Sequence, residues 1–286
     1  MTLTEAAAGA ARVLASAGVP TDDSQQDASL LARWVLGWSR TEWLTRNREA
    51  SPDGFAGPFH SAIARRAARE PVAYITGARE FYGRPFRITP DVLIPRPETE
   101  LVVDEALGIL AGRPRGSSPR IADVGAGSGC LAVTIALEVP DAHVVAIDIS
   151  EPALRVAHDN AVALGAAERL EFWRGAYLPR GLPPFDLIVS NPPYVAEADR
   201  DSLPLEVREF EPARALYGGP DGLHVIRGLV HEAASTLNYG GWLVMEIGAG
   251  QSEDVARIIA DHRSLAVTRI RPDLQSIPRV VVARKR

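Results

Sequence analysis

IADVGAGSGCLAVTIALEVPDAHVVAID, residues 121–148, decides the fold. IADV (121–124) is a short apolar run ending in a glycine-rich turn. Residues 129–138 carry a helical pattern, and HVVAID (143–148) is a second β-branched run. Strand, helix and strand in this order make one βαβ unit, whose crossover sets the two strands parallel. The alternation continues. Strand-like runs fall at LEFW (170–173), FDLIV (185–189), WLVMEI (242–247), LAVTRI (265–270) and RVVVA (279–283). Helical stretches fall at 98–111, 151–164, 223–237 and 252–262. The pattern predicts an α/β fold, a parallel sheet with helices on both faces. No helix separates the last two runs, so the final strand is expected to enter antiparallel, as a hairpin.

Residues 3–70 show helical periodicity and no strand pattern. Leu3, Ala7, Ala10, Ala11 and Leu14 mark one face, closed by GVP (18–20). Ser24 is placed to cap a second helix carrying Leu30, Leu31, Trp34 and Val35. A third piece holds Trp38 and Leu44, and a fourth (54–69) stops at Pro71. Helices this short need tertiary packing, which the Trp and Leu residues are expected to supply in a small bundle. PVAYITGAREFYGRPFRITPDVLIP (71–95) then alternates aromatic and β-branched residues around Gly83 and Pro85, as a β-hairpin does. The expected division is a helical domain at 1–70, a hairpin linker at 71–97 and an α/β domain at 98–286.

Composition narrows the classes. Of 286 residues 46% are hydrophobic, enough for a full core, yet no stretch is long and apolar enough to span a bilayer. The N-terminus lacks the charged and apolar regions of a signal peptide. Cys130 is the single cysteine, so no intramolecular disulfide forms and a cytoplasmic setting is expected. The net charge of −5 argues against a protein that coats nucleic acid. Residues 1–90 hold 11 arginines against nine acids, about +2, leaving about −7 for the remainder. Different partners for the two parts, or plain scatter of surface charge, both fit.

The turn in the opening stretch is G-x-G-x-G, at Gly125, Gly127 and Gly129. Glycines here let the backbone approach a ligand. The dinucleotide fingerprint needs a glycine where Cys130 stands, and no Gly-Lys-Ser/Thr follows, so the loop is neither that motif nor a P-loop. Alone it fits a nucleotide-like ligand or a tight turn. Asp148 closes the next strand, where doubly wound folds place the acid that binds ribose hydroxyls, although a helix cap is the plainer role. Ser150 and Pro152 supply a cap and a first-turn proline for the following helix. Together these features point to an adenosine-containing cofactor. Tyr177, after the third strand, is placed either to stack on the base or simply to pack.

VSNPPY (189–194) leaves the fourth strand beside the glycine loop. Pro192 and Pro193 have no N–H and hold their carbonyls rigidly as acceptors. Asn191 adds a side-chain carbonyl, so two acceptors converge on what suits an NH2 group. Tyr194 offers a flat wall to a planar amide or base. Acceptors gripping both hydrogens turn a delocalised nitrogen lone pair toward an electrophile and stabilise developing charge. The bland alternative is a proline-rich turn with Asn as a local cap.

G-x-G-x-G, a ribose acid and N-P-P-Y together resemble a class I S-adenosylmethionine-dependent methyltransferase acting on a planar nitrogen. PVAYITGAREFYGRPFRITPDVLIPRPETE (71–100), EPARALYGGPDGLHVIRGLV (211–230) and GGWLVMEIGAGQ (240–251) are similar to the PrmC/HemK family. That resemblance implies a Rossmann-like seven-stranded sheet and a helical N-terminal domain that contacts the substrate protein. It implies methylation of the glutamine amide nitrogen in the Gly-Gly-Gln motif of class I peptide chain release factors. S-adenosyl-L-homocysteine is then the second product, with no membrane and no direct nucleic-acid substrate. Carried over by position, Gly125, Ala126, Gly127, Ser128 and Gly129 line the methionine part of the cofactor, Asp148 holds the ribose and Tyr177 packs on adenine. Asn191 and the Pro192 carbonyl hold the glutamine NH2, with Pro193 and Tyr194 shaping the pocket. Arg96 and Glu98 help close the site or serve as a hinge.

Two departures stand out. Ala176–Tyr177 replaces an acid–Trp pair, and DLQSIPRVV (273–281) replaces D-x-x-G-x-x-R-V in a loop expected to lie far from the chemistry. Two rivals remain. An adenine-N6 nucleic-acid methyltransferase shares NPPY but needs a basic channel and a target-recognition region. A non-catalytic cofactor-binding module would not need Asn191–Tyr194. A nicotinamide dehydrogenase is disfavoured by Cys130. The scattered histidines give no metal-ligand spacing.

Overall fold

The computed structural model describes residues 1–114, 116–178 and 181–286. It divides into two compact units: residues 1–78 with 204–210, and residues 79–203 with 211–286. The stretch 71–97 is shared between them.

The first unit holds α1 (Leu3–Ser16), α2 (Thr21–Leu36), α3 (Arg40–Arg46), α4 (Ala56–Ala67) and α5 (Val72–Thr76). Capping boxes start α1 (Thr2, Glu5) and α3 (Ser39, Glu42), each satisfying two N–H groups that a helix end leaves open. Two readings of this region change. Ser24 is no cap: α2 begins after Pro20, and the Ser24 hydroxyl lies buried inside the helix, donating to Val19 O at 3.1 Å. Pro20 supplies the extended residue that the start needs. The tryptophans and leucines also contribute unequally. Leu3, Leu14, Leu31, Trp43 and Phe59 are buried, whereas Trp34 and Leu44 are exposed. Alanines on α1 and α2 fill the seam between the helices instead. Arg66, only 4% exposed, pairs with Asp27 at 2.7 Å. VAYIT forms α5 and not a strand, because Pro71 fits just before a helix start and Gly77 accepts the left-handed C-cap (φ 74).

The second unit opens with a hairpin, β1 (Ala78–Phe81) and β2 (Arg84–Arg87), turning at Tyr82–Gly83. Then follow α6 (Glu100–Ala111), β3 (Arg120–Val124), α7 (Cys130–Glu138), β4 (His143–Asp148), α8 (Glu151–Leu164), β5 (Leu170–Arg174) and β6 (Phe185–Ser190). The chain passes through α9 (Leu205–Phe210), part of the first unit, where Glu206 pairs with Arg66 and Arg69. It returns through α10 (Ala213–Leu216), α11 (His224–Thr236), β7 (Leu237–Glu246), α12 (Ser252–Asp261), β8 (Leu265–Pro272) and β9 (Pro278–Lys285).

The sheet has seven strands in the order β5-β4-β3-β6-β7-β9-β8. The β3–β4, β4–β5, β3–β6 and β6–β7 pairs are parallel, and β9 runs antiparallel to both β7 and β8, as expected from the missing helix. This is the class I methyltransferase arrangement that the resemblance implied. Ala122, Ile147, Ile188 and Val281 are among the fully buried residues of its core. After β3 the chain goes to β4 on one side, while β6 lies on the other. The carboxyl ends of β3 and β6 therefore face a topological switch point, where open α/β sheets bind ligands. Among the described residues, no helix is long and apolar enough to cross a membrane.

Candidate active site

One cavity of about 380 Å3 lies at those strand ends. Gly125, Ala126, Gly127, Ser128, Asp148, Tyr177, Asn191, Pro192 and Pro193 all line it. Gly129 and Tyr194 do not. Gly129 ends the loop at φ 79, packed so tightly on α8 that an added Cβ would sit 3.0 Å from Ala157 Cβ. Its smallness sets the helix spacing. The Tyr194 ring packs on the sheet core, and its hydroxyl donates to Glu246 Oε1 at 3.0 Å.

The glycine loop is held by the end of β4. Gly125 N and Ala126 N donate to Ile147 O at 2.8 and 2.9 Å, and Gly127 N donates to Asp148 Oδ2 at 2.9 Å. Asp148 Oδ1 accepts from Ser150 N at 2.8 Å, while Ser150 is the cap of α8. Asp148 is therefore not the cap. Each of its oxygens keeps a further lone pair. Burial pushes its carboxyl above the usual range, opposed by the amides of Ser150 and Gly127.

Asp123 escaped the sequence reading. It is fully buried, and its Oδ2 accepts from Ala132 N at 3.0 Å, in the first turn of α7. Desolvation pushes it to about 7. The available signal was an acid inside the apolar run IADV, where a charge is costly unless it is used. Desolvation also pushes the Cys130 thiol to about 12, so it is a neutral thiol and no nucleophile. Arg214, on α10, is the one arginine lining the cavity among the described residues, and its charge opposes the rise at Asp148.

Around NPPY the backbone is locked. Ser190 Oγ donates to Val124 O at 2.6 Å, tying the end of β6 to the end of β3. Val195 N donates to Leu216 O and Gly218 N donates to Val195 O, both at 2.9 Å. Gln251 Nε2 donates to Tyr194 O at 2.9 Å, while Gln251 Oε1 accepts from Gly248 N. The three stretches that carried the resemblance thus meet in one place. Arg96 pairs with Glu211, which is 5% exposed and also accepts from Ile94 N at 3.1 Å. PRPETE and EPARAL are joined by that carboxylate.

Asn191 Nδ2 donates to Thr99 Oγ1 at 3.0 Å, and Thr99 Oγ1 donates to Glu246 Oε2 at 2.6 Å. Neither Thr99 nor Glu246 was singled out in the sequence, although an acid within the apolar run WLVMEI was visible. Ser276 stands where the family form has glycine, at φ 64, and the Asp273 carboxylate accepts from Gln275 N, Ile277 N and Arg279 Nε. None of residues 273–281 lines the cavity; from β9, Arg279 O accepts from Ile247 N at 2.8 Å and the Arg279 charge is felt at Glu246. No cluster of metal-ligating side chains occurs among the described residues.

Residues 5–77 match the PrmC N-terminal domain, and residues 102–209 match the methyltransferase small domain. The chain is 42% identical to the release factor glutamine methyltransferase of Koribacter versatilis, covering 100% of this chain and 99% of that protein. The chain belongs to the release factor glutamine methyltransferase family. Moorella thermoacetica provides a second relative so named, 42% identical over 100% of this chain and 99% of its own length. A third, from Burkholderia pseudomallei, is 45% identical over 88% and 89%. A methyltransferase structure from Pyrococcus furiosus, 17% identical with a TM-score of 0.51, covers 79% of this chain and 97% of its own and shares the fold. As a member of this family, the protein is an S-adenosylmethionine-dependent methyltransferase.

Proposed function

We propose that this enzyme methylates the side-chain amide nitrogen of the glutamine in the Gly-Gly-Gln loop of class I peptide chain release factors, in the cytoplasm. The observation that carries the reading is the orientation of Asn191. Its Nδ2 is committed to Thr99, so Oδ1 is the end left for a ligand. No described residue donates to Asn191 Oδ1 or to the Pro192 carbonyl. Two rigid acceptors beside the cavity suit the two N–H donors of a primary amide.

The cavity fits the cofactor. Gly125 and Gly127 present backbone without side chains, and a Cβ on Gly125 would reach no atom nearer than Asn191 O at 3.9 Å. In this reading Gly125, Ala126, Gly127 and Ser128 hold the methionine part, with Gly129 supporting the loop on α8. Asp148 takes the ribose hydroxyls on its remaining lone pairs, and Tyr177 lies on the adenine. S-adenosylmethionine, when bound, supplies an electrophilic methyl group on a sulfonium sulfur. Asn191 and Pro192 grip both hydrogens of the glutamine NH2, fix its plane and aim the nitrogen lone pair. Charge developing on nitrogen is stabilised by the same two oxygens. Pro193 stiffens Pro192, and Tyr194 holds the segment through Glu246 and Gln251.

The deciding assay combines the purified chain, labelled S-adenosylmethionine and a class I release factor. Label is expected on the release factor and absent when its Gly-Gly-Gln glutamine is replaced. Equal transfer after that replacement, or transfer to DNA, rejects the substrate. Gly228→Ala tests the adenine wall. A Cβ there would lie 2.2 Å from the Tyr177 hydroxyl, so the ring must shift. The loss of an aromatic contact predicts cofactor binding about three- to tenfold weaker by calorimetry. Unchanged affinity would remove Tyr177 from the adenine site.

A further inference from the structure

Asn191 begins a chain of hydrogen bonds that runs into the core. Asn191 Nδ2 donates to Thr99 Oγ1, Thr99 Oγ1 donates to Glu246 Oε2, and the Tyr194 hydroxyl donates to Glu246 Oε1. Thr99 and Glu246 are each 1% exposed. A carboxylate buried this far is costly without donors, and here each oxygen has one. Burial pushes the Glu246 carboxyl above its usual range, opposed first by the Thr99 and Tyr194 hydroxyls and last by Arg279, while Glu98 adds to the rise.

Proton counting sets the direction of every bond in the chain. A threonine hydroxyl has one hydrogen. Thr99 commits it to Glu246 and so presents only lone pairs to Asn191. The asparagine must answer with its NH2 group. Were the amide turned over, Asn191 Oδ1 would face Thr99 Oγ1 with no proton between two acceptors. The carboxylate of Glu246 therefore dictates, through one hydroxyl, which end of Asn191 is left for substrate.

We propose that Thr99 and Glu246 are positioning residues that lock the Asn191 amide with Oδ1 presented to the substrate, making the site selective for an NH2 donor. The assignment rests on the reading that Asn191 holds the glutamine amide. Thr99 closes the 3-10 turn Pro97–Thr99 ahead of α6, and Glu246 ends β7. PRPETE and LVMEI thereby acquire a role in the chemistry that neither shows by itself.

Thr99→Val keeps the shape and removes the hydroxyl, whereas Thr99→Ser keeps the hydroxyl. The test uses the full chain, S-adenosylmethionine and an intact release factor. Thr99→Val is expected to lower kcat about tenfold or more, since misorientation at a reacting group costs rate. KM for the release factor and Kd for S-adenosylmethionine should stay near wild type, and Thr99→Ser should restore turnover. A Thr99→Val enzyme with wild-type kcat overturns the assignment. So does a Thr99→Ser enzyme as slow as Thr99→Val, or a loss confined to cofactor affinity. If Thr99→Val does not fold, Thr99→Ala decides, since it also removes the hydroxyl: a lower kcat with cofactor affinity kept supports the relay, and an unchanged kcat removes it. Wild-type enzyme that labels no release factor overturns the underlying reading, and the assignment with it.

Discussion

Asn191→Ala is expected to lower kcat for glutamine methylation by about a hundredfold or more, with S-adenosylmethionine affinity close to wild type. The argument is a separation of duties. In the proposed reading the Asn191 side chain is one of two acceptors for the substrate NH2, so its loss would free the amide to rotate and leave the lone pair unaimed. The backbone at this point is held by other residues. Ser190 Oγ fixes the end of β6 to Val124 O, and Gln251 Nε2 fixes Tyr194 O. The alanine variant should therefore keep the strand end, the glycine loop and Asp148 in place. Single-turnover kinetics with an intact release factor, alongside calorimetry with the cofactor, separates the effects. Turnover near wild type would show that the acceptor pair does not drive the chemistry. Equal loss of cofactor affinity would show that the residue mainly shapes the cofactor site.

How much of this was legible in the sequence follows from local against long-range physics. Strands β3 to β6 were placed within a residue or so, because buried parallel strands are continuous apolar runs bounded by turns. The antiparallel β9 followed from the absence of a crossover helix. VAYIT misled because its β-branched and aromatic residues suit a strand, while Pro71 and Gly77 at its ends decided for a helix. Ser24 misled because a serine near a helix start invites a cap, yet Pro20 had already begun the turn. The segment 197–216 gave no periodic signal, since its two short helices take their places by packing and by the Glu206 and Glu211 ion pairs. In the candidate site, the glycine loop and NPPY stand out in the sequence because each is a contiguous motif, and residues of both line the cavity. Thr99 and Glu246 do not stand out, because they are 147 residues apart and meet only through the fold. Asp123 and Glu246 share the one sequence trace such residues leave, an acid inside a buried strand.

Gly222→Ala should unfold the support of NPPY from behind. Gly222 has φ 72, and an added Cβ would lie 2.3 Å from Tyr194 O, 2.9 Å from Gln251 Nε2 and 3.1 Å from Ala196 N. Two of these atoms are backbone and cannot swing away. The left-handed conformation and the overlap together predict about 2–5 kcal/mol lower stability. Displacing Tyr194 O also breaks the Gln251 bond, so turnover should fall by about a hundredfold, the cost expected for misplacing a reacting group. Gly165→Ala is the matched control. Gly165 ends α8 at φ 78 with no atom within 4 Å of an added Cβ, so it carries the conformational cost without the clash. That variant should lose only about 1–2 kcal/mol and keep wild-type turnover. Thermal melts and the methylation assay on both variants isolate the steric part. If the two lose equal stability and both keep full activity, the 218–222 loop is a bystander, and the rigidity of Asn191 and Pro192 must come from the prolines alone.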